Sequence, residues 1–113
     1  MPEFVRRGYS ERQVSGMGFP AKDYAFPTGE GSFTGTLVMK KWNGKNALIC
    51  YFDADDGAKY KLCVWFSYDV NRTYRPTNST VDISYVDIGS TIKVAYGQTK
   101  NGKSKWLDAE VLR

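Results

Sequence analysis

The chain of 113 residues contains no histidine. That removes the usual general base at neutral pH and the commonest zinc ligand, and with it any Ser-His or Cys-His nucleophile. Cysteine is scarce: Cys50 and Cys63 are too few for a cysteine-rich zinc site, and each sits in an apolar, strand-like run. That setting suits small buried thiols better than a disulfide. Long apolar runs are missing as well. Nothing approaches the roughly 18–20 residues needed to span a bilayer, and the first residues lack the apolar core of a secretory signal. The expectation is a cytoplasmic protein with no membrane partner. Phosphate-cradling loops are lacking, because Gly29-Glu30-Gly31 is not followed by Gly-Lys-Ser/Thr. The one carboxylate cluster, Asp53, Asp55 and Asp56, runs into an Asp-Gly turn and lacks the spaced ligands of a calcium loop. No catalytic residue, metal site or cofactor is expected, and the chain does not read as an enzyme.

Aromatic residues, by contrast, are abundant at 15%, with eight tyrosines and three tryptophans. The formal net charge is +4, and its position along the chain is informative. Residues 1–31 balance four basic against four acidic groups, and residues 68–90 set two against three. The surplus lies in residues 32–67, five against three, and in residues 91–113, five against two. Each of these segments holds an Asn-Gly dipeptide among lysines with a tryptophan beside it: Lys40-Lys41-Trp42-Asn43-Gly44-Lys45, and Lys100-Asn101-Gly102-Lys103-Ser104-Lys105-Trp106.

The length suits one folded domain. Residues 1–31 hold five glycines and three prolines, with scattered aromatics and no sustained period, and read as an extended N-terminal arm. The density of aromatics favours an arm docked across the domain, burying Phe19, Tyr24 and Phe26, over a free tail. From residue 32 on, β-branched and aromatic runs at 33–42, 47–53 and 59–67 are separated by Asn43-Gly44 and Asp55-Asp56-Gly57, predicting a three-strand meander. Asn-Gly favours a two-residue type I′ turn. Gly35, inside the first run, marks a bulge or bend where one strand can pair in two directions. Residues 68–90 form a long connection with a short helix or extra strand around 80–87. Two more strands, at 91–96 and 106–112, flank Asn101-Gly102. Simple alternation places Leu107, Ala109 and Val111 on one face of the last strand and Trp106, Asp108 and Glu110 on the other.

The fold class expected is therefore all-β: five strands and a long connection between the third and fourth. Five short strands must curl or cover their edges. The chain from residue 32 to residue 113 resembles the OB-fold, a five-stranded Greek-key barrel. The resemblance rests on Gly35 in the first strand, on the insertion between strands three and four, and on Ile88-Gly89-Ser90-Thr91-Ile92-Lys93-Val94 leading into the fourth. SH3-like barrels share the strand count and remain an alternative.

On the second strand Leu48, Cys50 and Phe52 form the better core set, leaving Ile49 and Tyr51 opposite. On the third, Tyr60, Leu62, Val64 and Phe66 read as core, sending Lys59, Lys61, Cys63 and Trp65 outward. In OB-folds that outer face, with the loops between strands one and two and between four and five, binds oligonucleotides or oligosaccharides. The resemblance then implies a groove with Lys40, Lys41 and Lys45 on one wall and Lys100, Lys103 and Lys105 on the other. Trp42 and Trp106 stand nearby, with Tyr51, Lys61 and Trp65 on the floor. Arg72, Tyr74 and Arg75 form a further Arg-aromatic set. Cations beside flat rings suit single-stranded nucleic acid, where each stacked base contributes about 1–3 kcal/mol. The expected function is binding of single-stranded DNA, or RNA, with little sequence preference, in replication, recombination or repair, by a homo-oligomer that uses the arm between protomers. The alternative is a small β-barrel that binds protein, as an interaction module or structural component of a larger assembly. There the exposed aromatics serve a protein interface and the lysines only solvate hairpin tips.

Overall fold

The alternation along residues 47–68 produces two strands that turn one apolar face to the core, and the rest of the architecture grows outward from them. A computed structural model describes residues 20–44, 46–68, 70–72, 74–77 and 81–113; Lys45 and residues 1–19, with Phe19, lie outside the described residues. The strands are β1 (Gly31–Asn43), β2 (Ala47–Ala54), β3 (Lys59–Tyr68), β4 (Tyr74–Pro76), β5 (Thr91–Gln98) and β6 (Ser104–Val111). They form one antiparallel sheet in the order β4-β3-β2-β1-β5-β6. The described residues are all-β, with two short 3-10 turns at Ala21–Asp23 and Ile83–Tyr85. Among the described residues no helix is long and apolar enough to cross a membrane.

The sheet has six strands where five were predicted. The sixth is β4, inside the long connection, which pairs Phe66↔Pro76, Ser67↔Arg75 and Tyr68↔Tyr74. Pro76 cannot donate to a ladder and so suits an edge strand. The sheet curls until β3 and β6 approach each other, but no ladder joins them among the described residues, so the closed barrel is not formed.

β1 pairs with β2 through residues 35–43 and with β5 through residues 31–36. Gly35 belongs to both ladders, opposite Ala54 and Ile92. A Cβ there would stand 2.7 Å from the Asp53 carbonyl oxygen. The crossing is therefore so close that only glycine fits. The bulge itself falls later, between Leu37 and Met39, leaving Val38 as the extra residue. A second bulge on β6 leaves Leu107 extra, since Tyr96 faces Trp106 while Ala95 faces Asp108.

The main core collects Leu48, Cys50 and Phe52 from β2, Leu62, Val64 and Phe66 from β3, and Phe33, Leu37 and Trp42 from β1. Ile83, Ile92, Val94 and Trp106 complete it. The inward and outward faces of β2 and β3 follow the alternation of the sequence. A smaller cluster on the outer face joins Tyr24, Met39 and Tyr51.

That outer cluster exists because the arm is docked from Pro20 onward. The Ala25 N–H donates to the Lys59 carbonyl at 3.1 Å, and the Lys61 N–H donates to the Ala25 carbonyl at 3.0 Å. Two residues on, the Ser104 hydroxyl donates to the Pro27 carbonyl. Residues 25–27 thus bridge the seam that β3 and β6 leave open. Tyr24 is buried, packs edge-on against Tyr51 at 5.5 Å and donates its hydroxyl to the Asp53 carboxylate at 2.5 Å. Burial raises the Tyr24 phenol well above its ordinary range, and the hydrogen bond to Asp53 adds to it. Of the arm aromatics expected to be buried, Tyr24 is, whereas Phe26 is half exposed.

Candidate nucleic-acid interface

Register aligns the outer face into rows. Met39, Tyr51 and Lys61 face one another across β1, β2 and β3; Lys41, Ile49 and Cys63 form the next row; Asn43, Ala47 and Trp65 form the third. The arm roofs the first row. Tyr24 lies on Tyr51, the Lys61 ammonium sits 5.0 Å from the centre of the Phe26 ring, and Lys59 sits 5.3 Å from that of Tyr24. Such cation–π contacts hold the lysine ends against the rings. The second and third rows lie beyond these contacts.

Trp65 dominates the open part, with 54% of its surface exposed. Its backbone is fixed on both sides: Thr77 donates to the Trp65 carbonyl through its N–H at 2.7 Å and its hydroxyl at 3.1 Å, while Ala47 is its cross-strand neighbour. Across the seam lies the β5–β6 hairpin, and between the two runs a cleft of about 440 Å³. Cys63 and Trp65 line one wall; Thr99, Lys100, Ser104 and Lys105 line the other; the buried Trp106 backs it. Gly102 and the bond from the Thr99 N–H to the Lys103 carbonyl, 2.8 Å, shape the hairpin tip. The lysines of the second wall are exposed, and the cleft offers a flat ring opposite two cations.

The structure brings together only part of the residue set read from the sequence. Trp65, Lys100 and Lys105 meet at the cleft, Lys41 lies exposed on the same face, and Lys103 is exposed on the hairpin without lining the cleft. Lys40 is not a groove residue. It is buried and donates from Nζ to the carbonyls of Ser84 at 3.2 Å and Val86 at 2.5 Å, clamping the Ile83–Tyr85 turn over the end of the core. Trp42 packs on Phe66 at 5.0 Å in the core. Trp106 is 1% exposed beside Phe52, because the bulge at Leu107 reverses the faces ahead of it and puts Leu107 outside. Tyr51 is on the expected face but under Tyr24. Arg72 lies at the β3–β4 hairpin and Tyr74 in β4.

Sequence reasoning missed Thr99 and Ser104, although both flank the Asn101-Gly102 turn that drew attention to the hairpin. Cys63 faces outward on β3, as the alternation predicts, and lines the cleft as well. Burial pushes its thiol up to about 11, and that of Cys50, wholly buried, is raised further, against an opposing pull from Lys40. Both therefore stay protonated at neutral pH, where the thiolate is the reactive form. At pH 8 an aromatic disulfide reagent should modify native Cys63 about 10- to 30-fold more slowly than an ordinary thiol of pKa near 8.5, the scarcity of thiolate being partly offset by its greater nucleophilicity. Stopped-flow absorbance measures this, and a rate equal to that of free cysteine would show that the cleft is wetter than described.

No known protein family, curated protein or solved structure matches the chain. The case for a function therefore rests on the geometry of the cleft.

Proposed function

We propose that the protein is an OB-like, partly open barrel that binds single-stranded nucleic acid in the cleft between β3 and the β5–β6 hairpin. DNA is the first ligand to test and RNA the second. One observation carries the proposal: Trp65 presents its ring to solvent at the wall of a cleft whose opposite wall carries Lys100 and Lys105. A half-exposed tryptophan on a strand anchored from both sides is a rigid stacking platform, and bases of any identity have a π face to lay on it. The lysines opposite stand where phosphates of a stacked strand would pass. The strand order also supports the reading, since β1 pairs with both β2 and β5, and β3 curls toward β6.

In this site Trp65 stacks on a base and Lys100 and Lys105 hold flanking phosphates, while Lys41 extends positive charge across the sheet. The net charge of +4 fits a few phosphate contacts rather than many. Affinity then comes from several copies loading along one strand, as short sites joined on one ligand reinforce each other.

Fluorescence anisotropy with labelled single-stranded DNA, RNA and duplex DNA at two salt concentrations tests the reading. Trp65→Ala should weaken single-strand binding about 10-fold or more, the loss of one stacked base, with the salt dependence unchanged. Lys105→Ala should lower the slope of log affinity against log salt by about 0.7, the value of one phosphate on a single strand. No binding of any strand at micromolar protein overturns the proposal.

A further inference from the structure

Two hairpins of the sheet share one frame, and a third places a left-handed residue at the same distance from its closing ladder pair. In β2–β3 the last ladder pair is Asp53↔Lys59 and the residue two before the closing partner, Gly57, has φ 90°. In β5–β6 the last pair is Gln98↔Ser104 and the equivalent residue, Gly102, has φ 79°. In both, the N–H of that glycine closes a turn onto the carbonyl three residues back, Ala54 or Thr99. Inside each last pair one more bond, from the Ala54 N–H to the Ala58 carbonyl or from the Thr99 N–H to the Lys103 carbonyl, leaves a loop of three residues whose last is left-handed. In β3–β4 the last pair is Tyr68↔Tyr74, and the residue two before the closing partner is Arg72, at φ 60°. Among the described residues it is the only non-glycine with positive φ.

Arginine is poorly suited to that backbone. Its Cβ crowds the carbonyl, and it lacks the short polar side chain that lets asparagine or aspartate tolerate the left-handed region. Glycine relieves the strain in the two sister hairpins. A strained residue held in place by its surroundings points to a role for its side chain. The position supplies one. β3 continues from Trp65 to Tyr68 over about 10 Å and ends at the tip carrying Arg72. Arg75 pairs with Ser67, two residues beyond Trp65, and therefore shares the face of Trp65. Arg72 and Arg75 are both exposed. Arg72 thus stands beyond the end of β3, away from the cleft, and the planar fork of a guanidinium matches two oxygens of a phosphate.

We infer that the β3–β4 hairpin is a second anionic subsite, which grips a backbone phosphate of the single strand as it leaves the cleft, with Arg72 as its principal contact. The inference rests on the proposed function of the cleft and adds the path of the strand, along β3 toward the hairpin tip. Lysines at the cleft hold the entering end, and Arg72 at the tip holds the leaving end.

The decisive variant is Arg72→Gly, because glycine is the residue that this backbone prefers. The melting temperature should rise by a few degrees, as for other substitutions that relieve a left-handed position. Affinity for an oligonucleotide long enough to pass beyond the cleft should fall about 5- to 10-fold, with the salt slope reduced by about 0.7. A dinucleotide, which fills only the cleft, should bind as tightly as to the wild type. Unchanged affinity and slope for the long strand overturn the inference while leaving the cleft reading intact. A lower melting temperature also overturns it, since Arg72 would then be a packing residue. A wild-type protein that binds no strand overturns both.

Discussion

Replacing Trp106 with alanine is expected to cost about 3–5 kcal/mol of folding stability, a large share of the 5–15 kcal/mol typical of a small domain. The indole is 1% exposed, lies 6.1 Å from the Phe52 ring and pairs across the ladder with Tyr96. Its removal would leave a cavity that β5 and β6 cannot close, because Gly97 and Ala109 beside them are already small and buried. Urea unfolding followed by circular dichroism measures the loss. Trp65→Ala serves as the contrast: the ring is half exposed, and its removal should change stability by less than about 0.5 kcal/mol while weakening ligand binding. Equal stability losses for the two variants would refute the assignment of one tryptophan to the core and the other to the cleft.

Gly35→Ala is the second large effect. The added methyl would stand 2.7 Å from the Asp53 carbonyl oxygen and 2.9 Å from the Ala54 Cα, both backbone atoms that cannot rotate away. On the other side β5 holds the same residue opposite Ile92. Relief requires prising β1 from β2, at a cost of about 1–3 kcal/mol or somewhat more. Amide exchange locates it: protection should fall at Asp55, whose N–H donates to the Thr34 carbonyl at 2.9 Å, and along the β1–β2 ladder, more than in the β5–β6 hairpin. Unchanged melting and exchange would mean that β1 does not carry both ladders at one residue.

Much of this fold was legible because period-two alternation reports faces directly wherever a strand is regular. β2 and β3 are regular, so Leu48, Cys50 and Phe52 were readable as inward and Trp65 as outward. The errors cluster at the two bulges. One extra residue reverses every side chain beyond it, and nothing in the chemistry of Val38 or Leu107 announces it. Trp106 was misassigned for that reason; Lys40, grouped with Lys41 as a lysine beside the Asn-Gly turn, faces inward once the slip at Val38 is included. The two Asn-Gly motifs also proved unlike each other. Asn101-Gly102 fills the second and third places of its loop, whereas Asn43 still belongs to the β1–β2 ladder, opposite Ala47; neither asparagine has positive φ, so neither motif forms the two-residue turn that the dipeptide favours in isolation. The cover over Tyr51 comes from Tyr24, far away in sequence, and no local pattern encodes that contact. Arm docking was readable only as a tendency, from aromatics without a period. Arg72 was noticed for its charge. Its backbone strain became visible only against the glycines of two sister hairpins.

The bridge made by residues 25–27 has a consequence for the order in which the molecule is assembled. Its two attachments are Lys59–Lys61 and Ser104, the latter 77 residues from Pro27. The segment is synthesised before β3, and its last partner follows it by 77 residues. The seam therefore closes only after the β5–β6 hairpin exists, and such distant closures slow folding. Until then the nascent sheet carries an unsealed β3 edge, the kind of edge that recruits stray strands. Because it precedes β3 on the same chain, the sealing segment stays tethered to that edge, at high effective concentration, throughout the wait.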